Sequence, residues 1–237
     1  MRKREEEILN TILLLSERTR DFSEPELIVI GGYALRAFIP LSRFTRDCDF
    51  ALRKGNGWEI DKFKALEGYS VEKEEKHESY GFLRCIKLLE HDKAKVKVSM
   101  DFMEGEIRGR TEEEVILIDE AMIKKRRFAT IPIAEKPVKI PVPEYVDYFI
   151  MKVVSGRASD IRDIASLVHE NGIPPSLEER TKEILTHPRV FRAKIEEKIL
   201  PEMKRPTFIN SWRGIFGTIR YSDTDKIAAI GLLKKLI

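Results

Sequence analysis

Asp47 and Asp49 stand one residue apart at the start of a short apolar run, and this spacing has a chemical meaning. Successive side chains of a β-strand face opposite sides, so both carboxylates would share one face of a strand. Two neighbouring carboxylates repel each other, and a divalent cation with oxygen ligands would compensate their charge. The alternative is a solvated strand end, with Arg43 and Arg46 as the countercharges.

A glycine pair, Gly31-Gly32, follows the aliphatic run 27–30 and precedes a predicted helix. Glycine permits φ > 0 and a close approach of the backbone to a ligand, and a helix start offers unpaired N–H groups to a phosphate. A tight turn without a ligand is the alternative. Because the two aspartates follow within one helix, the order of the motifs favours a site for a metal-bound triphosphate.

A third carboxylate, Asp101, ends the alternating run 95–102, which has the pattern of a half-buried edge strand. Taken alone, Asp101 would be an ordinary solvent-facing residue at a strand end. Together with Asp47 and Asp49 it would complete three carboxylates on two neighbouring strands. Such a set can hold two Mg²⁺ ions about 3.5–4 Å apart. We therefore predict a two-ion Mg²⁺ site, with Mn²⁺ as an alternative ion.

The elements that would position these residues are mixed in the first part of the chain. Apolar residues at helical spacing predict helices over 5–18, 33–38 and 60–66. β-Branched or alternating runs predict strands over 27–30, 49–52, 80–89, 95–102, 115–118 and 129–133, with a polar turn at His91 and Asp92. After two prolines, Pro141 and Pro143, helices are predicted over 144–154, 161–170, 177–185, 191–200 and 223–236.

These predictions define an α+β protein. A mixed β-sheet flanked by helices would form a catalytic α/β domain over residues 1–140, and a helical domain would follow over residues 141–237. A pair of aromatic residues, Trp212 and Phe216, is spaced as a helical face that packs into the core, in preference to a platform for stacking bases.

The three motifs together resemble the catalytic core of the polymerase-β-type nucleotidyltransferases. More narrowly, the sequence is similar to the branch of the AbiEii toxins and the lincosamide-type nucleotidyltransferases. The resemblance lies in Gly31-Gly32-Tyr33-Ala34-Leu35 and in Thr45-Arg46-Asp47-Cys48-Asp49-Phe50. It continues in the helical half with Lys152, Arg157 and the element Asp160-Ile161-Arg162-Asp163-Ile164, and residues 171–237 carry no assignable motif.

The resemblance implies a nucleotidyltransferase-type fold and a role for each matching residue. Asp47, Asp49 and Asp101 would bind the metal ions, and these three and Lys152 would be catalytic. The nucleotide, ATP or another NTP, would be bound by Gly31, Gly32, Tyr33, Arg46, Arg157, Asp160 and Asp163. Many relatives have a serine after the glycines, whereas this chain has Tyr33, so the corresponding phosphate contact would fall to the backbone.

The resulting hypothesis is a Mg²⁺-dependent enzyme that moves a nucleoside monophosphate from an NTP to a hydroxyl and releases pyrophosphate. The acceptor would be RNA such as tRNA, a protein or a small molecule, and a role as the toxin of a toxin–antitoxin pair would add an antitoxin partner. The basic run 124–127 would contact nucleic acid or form a solvated face. A catalytically silent module that binds nucleotide or RNA is the alternative function.

The composition of the chain bears on its partners, its location and its source. Lys and Arg number 43 against 40 Asp and Glu, so the formal charge of +3 indicates no particular partner. The charged start, residues 1–7, predicts no secretory leader, and no apolar run reaches the roughly 18 residues of a membrane span. Two cysteines give no framework of disulfides or metal ligands, and this predicts that the protein works in a reducing cytoplasm. The absence of glutamine beside abundant Glu, Lys and Arg predicts a thermophilic source.

Overall fold

The computed structural model describes residues 2–41, 43–91 and 94–237, and within these the chain divides into two compact units. The first unit comprises residues 1–37, 45–107 and 118–144, and the second comprises 38–44, 108–117 and 145–237. The second unit thus contains two segments from the first half of the sequence. The predicted turn at Asp92 lies outside the described residues.

The first unit is built on a mixed sheet whose strand order is β1-β2-β5-β4-β3. β2 runs parallel to β5, whereas the pairs β1–β2, β4–β5 and β3–β4 are antiparallel. The strands are β1 Leu27–Ile30, β2 Asp47–Leu52, β3 Ser70–Lys76, β4 Gly81–His91 and β5 Ala94–Glu104. This mixed sheet with helices confirms the predicted α+β class.

Stacked aromatic rings form a core on one face of the sheet. Phe50 of β2 and Phe102 of β5 stack with ring centroids 5.2 Å apart, and Phe63 stacks on Phe102 at 4.3 Å. Phe63 ends a short 3-10 helix, Glu59–Phe63, where the sequence predicted a longer helix. Helix α1, Arg2–Arg18, buries Ile8, Leu9, Ile12 and Leu15. Because Asp47 and Asp49 alternate with the buried side chains of β2, they lie on the other face.

The prediction that residues 95–102 form an edge strand is wrong, because β5 lies between β2 and β4. Its pairing on both sides buries the end of the strand that carries Ser99 and Asp101, which are 5% and 3% exposed. Only the beginning of β5, at Lys95 and Lys97, is exposed as an edge strand would be.

Further elements of the first unit are helix α2, Gly31–Ala34, which continues as a 3-10 helix over Leu35–Ala37, and helix α3, Glu120–Lys124. β8, Arg127–Ile133, pairs antiparallel with β9, Lys136–Val142, and β6, Glu106–Arg108, lies where the chain leaves this unit. The strand predicted over 129–133 is therefore confirmed, while β9 was not predicted. Its Pro137 and Pro141 read as strand breakers, but an edge strand tolerates proline.

The second unit is mostly helical, as the sequence predicted for the C-terminal half. Its helices are α4 Tyr145–Ser155, α5 Ala158–Asn171, α6 Leu177–Ile184, α7 Arg189–Lys194, α8 Leu200–Lys204, α9 Phe208–Phe216 and α10 Asp223–Leu233. A π-helical turn, Ile195–Ile199, connects α7 to α8, so the helix passes Pro201 instead of ending before it. β7, Val115–Leu117, forms a bridge from Ile116 to Leu185.

The aromatic pair of α9 confirms the predicted core role. Trp212 is fully buried and Phe216 is 7% exposed. The Trp212 ring stacks on Tyr221 at a centroid distance of 4.0 Å, and its Nε1 donates a hydrogen bond to Ser166 Oγ at 2.8 Å. A ring enclosed in this way is not available for stacking on a base.

Candidate active site

The turn from β1 into α2 brings the glycines to the carboxylates. Gly31 has a φ of +66°, and a Cβ placed on it would stand 1.9 Å from Oδ2 of Asp49. Only glycine therefore fits at residue 31, for reasons of both backbone conformation and space. At Gly32 the backbone φ is not positive, and a Cβ there would meet Thr45 Oγ1 at 2.7 Å. Glycine at residue 32 thus serves the packing of Thr45.

The three aspartates lie on adjacent strands of one sheet face. In the parallel register of β2 and β5, Asp49 is directly opposite Asp101, and Asp47 is opposite Ser99. Burial raises the pKa of Asp47, and the neighbouring charge of Asp101 raises it further. Asp47 and Asp49 are half-buried, whereas Asp101 is 3% exposed.

Arg84, which the sequence analysis did not select, supplies the main countercharge of this face. It lies on β4 opposite Asp101, with Nε 2.8 Å from Oδ1 and Nη2 2.5 Å from Oδ2. This bidentate ion pair raises the pKa of the Arg84 guanidinium. No local signal marks Arg84, because its partner is set by the β4–β5 register. Arg46, which was predicted, is exposed and lowers the pKa of Asp47 only as a minor countercharge.

The donor chemistry of this face fits a hard divalent cation, since carboxylate oxygens are the ligands Mg²⁺ prefers. The fit is also supported by the space at Gly31, where a Cβ would displace the Asp49 carboxylate. However, among the residues that the structure describes, no group of three or more His, Cys, Asp or Glu side chains is arranged to hold a metal ion. Both oxygens of Asp101 are instead engaged by Arg84.

Tyr33, predicted to bind nucleotide, lies in the core with 1% exposure. Burial raises the pKa of its hydroxyl, and the guanidinium of Arg36 lies 4.7 Å from the ring centroid. The side chain is thus placed to anchor α2. A contact between residue 33 and a phosphate would have to come from the backbone.

The predicted residues of the helical half form a buried ionic cluster in the second unit. Lys152 Nζ lies 2.8 Å from Asp160 Oδ1 and 2.9 Å from Asp163 Oδ2. Arg43, from the segment 38–44, completes the cluster with Nε 2.6 Å from Asp163 Oδ1 and Nη2 2.7 Å from Oδ2. Two cations and two carboxylates therefore balance each other, and sequence reasoning treated Arg43 only as a countercharge to Asp47 and Asp49.

Helix α5 fixes the geometry of this cluster. Asp160 and Asp163 are three residues apart, so they lie on one face of the helix. The Oδ2 atom of Asp160 also accepts hydrogen bonds from Ser155 Oγ at 2.7 Å and from the backbone N–H of Arg157 at 3.3 Å. Burial would lower the pKa of Lys152, but its two carboxylate partners raise it well above its ordinary value. The Arg157 residue, in contrast, is exposed at the start of α5.

The basic run 124–127 is largely engaged within the first unit. Lys124 pairs with Glu120 of its own helix, and Arg126 Nη1 lies 2.7 Å from Glu26 Oε1. The Nη2 atom of Arg127 donates to the carbonyl oxygen of Ala37 at 2.9 Å. These contacts favour the structural interpretation of the run over nucleic-acid binding.

The glycine turn lies beside the paired carboxylates on a mixed sheet, which is the motif order that resembles a nucleotidyltransferase. The family model "Nucleotidyl transferase AbiEii toxin, Type IV TA system" matches residues 13–230. The chain therefore belongs to the AbiEii nucleotidyltransferase toxin family, as the resemblance implied. No curated protein matches the chain significantly.

Two solved structures from Helicobacter pylori are similar at 13% identity and a TM-score of 0.47 each. One is provisionally described as a nucleotidyltransferase, and the match covers 96% of this chain and 93% of that one. The other, JHP933, matches over 98% of this chain and 92% of its own. Among the described residues, no helix is both long and apolar enough to cross a membrane.

Proposed function

We propose that this protein transfers a nucleoside monophosphate from an NTP to an acceptor hydroxyl in a Mg²⁺-dependent reaction. The observation that carries the proposal is the position of Asp49, which lies against Gly31 and directly opposite Asp101. The sheet therefore presents carboxylates at the end of a strand-to-helix turn, where backbone N–H groups can receive phosphate.

Each acidic residue has a role in this reaction. Asp47 and Asp49 would hold Mg²⁺ on the phosphates of the nucleotide, and Asp101 would hold a second ion and accept the proton of the acceptor hydroxyl. Bound Mg²⁺ ions would supply positive charge to the attacking and leaving oxygens. The acceptor oxygen forms a bond to the α-phosphorus while the bond to the bridging oxygen breaks, and pyrophosphate leaves.

The helical cluster suggests a different role for Lys152 from the one implied by the resemblance. Lys152 is 5% exposed, and its ammonium group is engaged by two carboxylates. We therefore assign Lys152, Asp160 and Asp163 to holding α4 and α5 in place. A phosphate contact by Arg157 stays a prediction, supported by the exposure of that residue.

The proposed acceptors follow from the chemistry and the family. Any hydroxyl that can be deprotonated at the carboxylate face would serve, which includes RNA such as tRNA, a protein side chain or a small molecule. The family's toxin–antitoxin assignment supports a toxin role in the cytoplasm, with an antitoxin protein that restrains the enzyme. The nucleotide preference, ATP or another NTP, is measured in the same experiment that identifies the acceptor.

Labelled nucleotides test the proposal directly. The protein would be incubated with each α-³²P-labelled NTP, Mg²⁺, and either total RNA or a cell lysate, beside the Asp49→Asn variant. We expect Mg²⁺-dependent transfer of label to one class of acceptor, formation of pyrophosphate, and loss of both with Asp49→Asn. Binding of NTP without transfer or pyrophosphate would instead identify a catalytically silent regulatory module.

A further inference from the structure

Both oxygens of Asp101 are occupied by one side chain. Nε and Nη2 of Arg84 lie 2.8 and 2.5 Å from the two carboxylate oxygens. Planar, bidentate pairs of this kind are the strongest ion pairs that proteins form between side chains. In this state Asp101 therefore has no carboxylate oxygen that is not already engaged by a guanidinium N–H.

The two partners differ in their freedom to move. The Asp101 side chain is 5% exposed and belongs to a strand paired on both sides, whereas the Arg84 side chain is 35% exposed. Any separation of the pair would therefore occur by withdrawal of Arg84. The guanidinium also lies 5.6 Å from the centroid of the Phe82 ring, which can hold a displaced cation through a cation–π interaction.

The charge balance supports an exchange of cations at this face. Asp47, Asp49 and Asp101 bring three negative charges to adjacent strands, and Arg84 is the cation bonded to the most buried of them. The arrival of a divalent cation at Asp101 without loss of Arg84 would place two positive groups on the same two oxygens. Like charges at such separations repel each other strongly in a partly buried site.

We propose that Arg84 is an internal counterion that a divalent cation must displace from Asp101. The inference rests on the proposed metal-dependent function and assigns Arg84 as a positioning residue. In the absence of metal, Arg84 holds Asp101 in place and offsets one of the three negative charges of the face. On metal binding it withdraws, so the intrinsic affinity of the site is lowered by the cost of breaking the pair.

Metal titration without nucleotide tests the proposal apart from activity. Mn²⁺ binding would be followed by the loss of the free-ion electron paramagnetic resonance signal for the parent protein, Arg84→Gln and Arg84→Lys. The matched control is Lys97→Gln, which removes a cation paired with Glu72 from the face and strand that carry Asp101. Circular dichroism would establish that each variant is folded.

We expect Arg84→Gln to bind Mn²⁺ about tenfold or more tightly than the parent, since the charge-assisted pair no longer has to be broken. Arg84→Lys keeps the charge but cannot form the bidentate pair. Its affinity for Mn²⁺ should lie between those of the parent and Arg84→Gln. Lys97→Gln should stay within about twofold of the parent, because it is an exposed pair.

Three results would overturn the proposal in distinguishable ways. Equal affinities for the parent and Arg84→Gln, with binding lost in Asp49→Asn, would show that the metal site exists and that Arg84 does not compete for it. An equal gain in Lys97→Gln would assign the effect to general charge. No Mn²⁺ binding by the parent or by either Arg84 variant would reject the metal site itself, and with it the proposed function.

Discussion

The carboxylate of Asp49 occupies the space that a side chain at Gly31 would fill. A Cβ on Gly31 would stand 1.9 Å from Asp49 Oδ2, and the glycine has a φ of +66°. This contact joins the first residue of α2 to an acidic residue of β2. The glycine turn and the carboxylate face are therefore one structural unit, and a side chain added at Gly31 must displace the carboxylate.

Gly31→Ala should consequently impair metal-dependent nucleotide binding more than it impairs folding. The left-handed conformation costs a non-glycine residue about 1–2 kcal/mol, and the added methyl group forces Asp49 to move. We expect the free energy of unfolding to fall by that amount and the affinity for Mg²⁺–NTP to fall at least about tenfold. Calorimetric titration and urea unfolding measure the two effects.

Gly57→Ala is the matched control for this substitution. A Cβ at Gly57 meets nothing within 4 Å, and its φ is not positive. We expect no loss of nucleotide binding there. A folded Gly31→Ala protein that binds Mg²⁺–NTP as the parent does would show that the contact with Asp49 is without functional consequence.

Asn substitutions at the two facing aspartates should separate binding from catalysis. Asp49→Asn should weaken both Mg²⁺-dependent NTP binding and transfer, since Asp49 adjoins the glycine turn that we propose to receive the phosphates. Asp101→Asn should spare most of the NTP affinity while turnover falls by about a thousandfold, the scale for removing one electrostatic element of a transition state. Calorimetry and the labelled-nucleotide transfer assay would be compared. Normal transfer by Asp101→Asn would remove Asp101 from the mechanism.

The strand phase of the aspartates was predictable, because it depends only on alternation along each strand. Asp49 follows buried Cys48, and Asp101 follows buried Met100. In contrast, β3 was missed because its sequence, SVEKEEK, is almost wholly exposed and offers no apolar alternation. Hydrophobic periodicity reports burial, so a solvated strand at the sheet edge leaves no signal.

The ion pairs of the candidate sites were beyond local sequence reasoning. Arg84 and Asp101 are brought together by the register of two antiparallel strands, and Arg43 reaches Asp163 from a segment that is neither helix nor strand. Such contacts depend on tertiary structure. The motif residues Lys152, Asp160 and Asp163 were found, but their mutual engagement was visible only in the folded structure.

Asp163→Asn should destabilise the protein strongly, because Asp163 is the carboxylate shared by two cations. Its side chain is fully buried between Arg43 and Lys152. Removing one member of a buried ionic cluster leaves uncompensated charge and costs about 3–5 kcal/mol. Urea unfolding measures the loss. Asp223→Asn is the control, since Asp223 pairs with Lys226 at a side-chain exposure of 67% and should matter by less than about 1 kcal/mol. Equal effects of the two substitutions would contradict the structural role of the cluster.

The pH dependence of the free energy of unfolding should reveal the stabilising contribution of the ionised Asp160 carboxylate. Burial would raise the pKa of its carboxyl, but the Lys152 ammonium and the Ser155 hydroxyl lower it below the ordinary value of 3.8. Because the folded-state pKa is lower than that of the unfolded chain, the unfolded state binds more protons. The stabilisation is then fully present above the unfolded pKa and is lost as pH falls through the folded one.

The Asp160→Asn variant tests the direction of this pH dependence, because an asparagine side chain does not titrate. The free energy of unfolding of the parent should exceed that of Asp160→Asn by about 3–5 kcal/mol at neutral pH, because the substitution leaves Lys152 with one carboxylate. Below about pH 4 the difference should shrink, as Asp160 in the parent takes up its proton. Urea unfolding of both proteins from neutral to acid pH gives the difference directly, and carboxylates outside the ionic cluster cancel in the comparison. A difference that stays constant down to the acid limit would mean that Asp160 does not stabilise the fold through its charge.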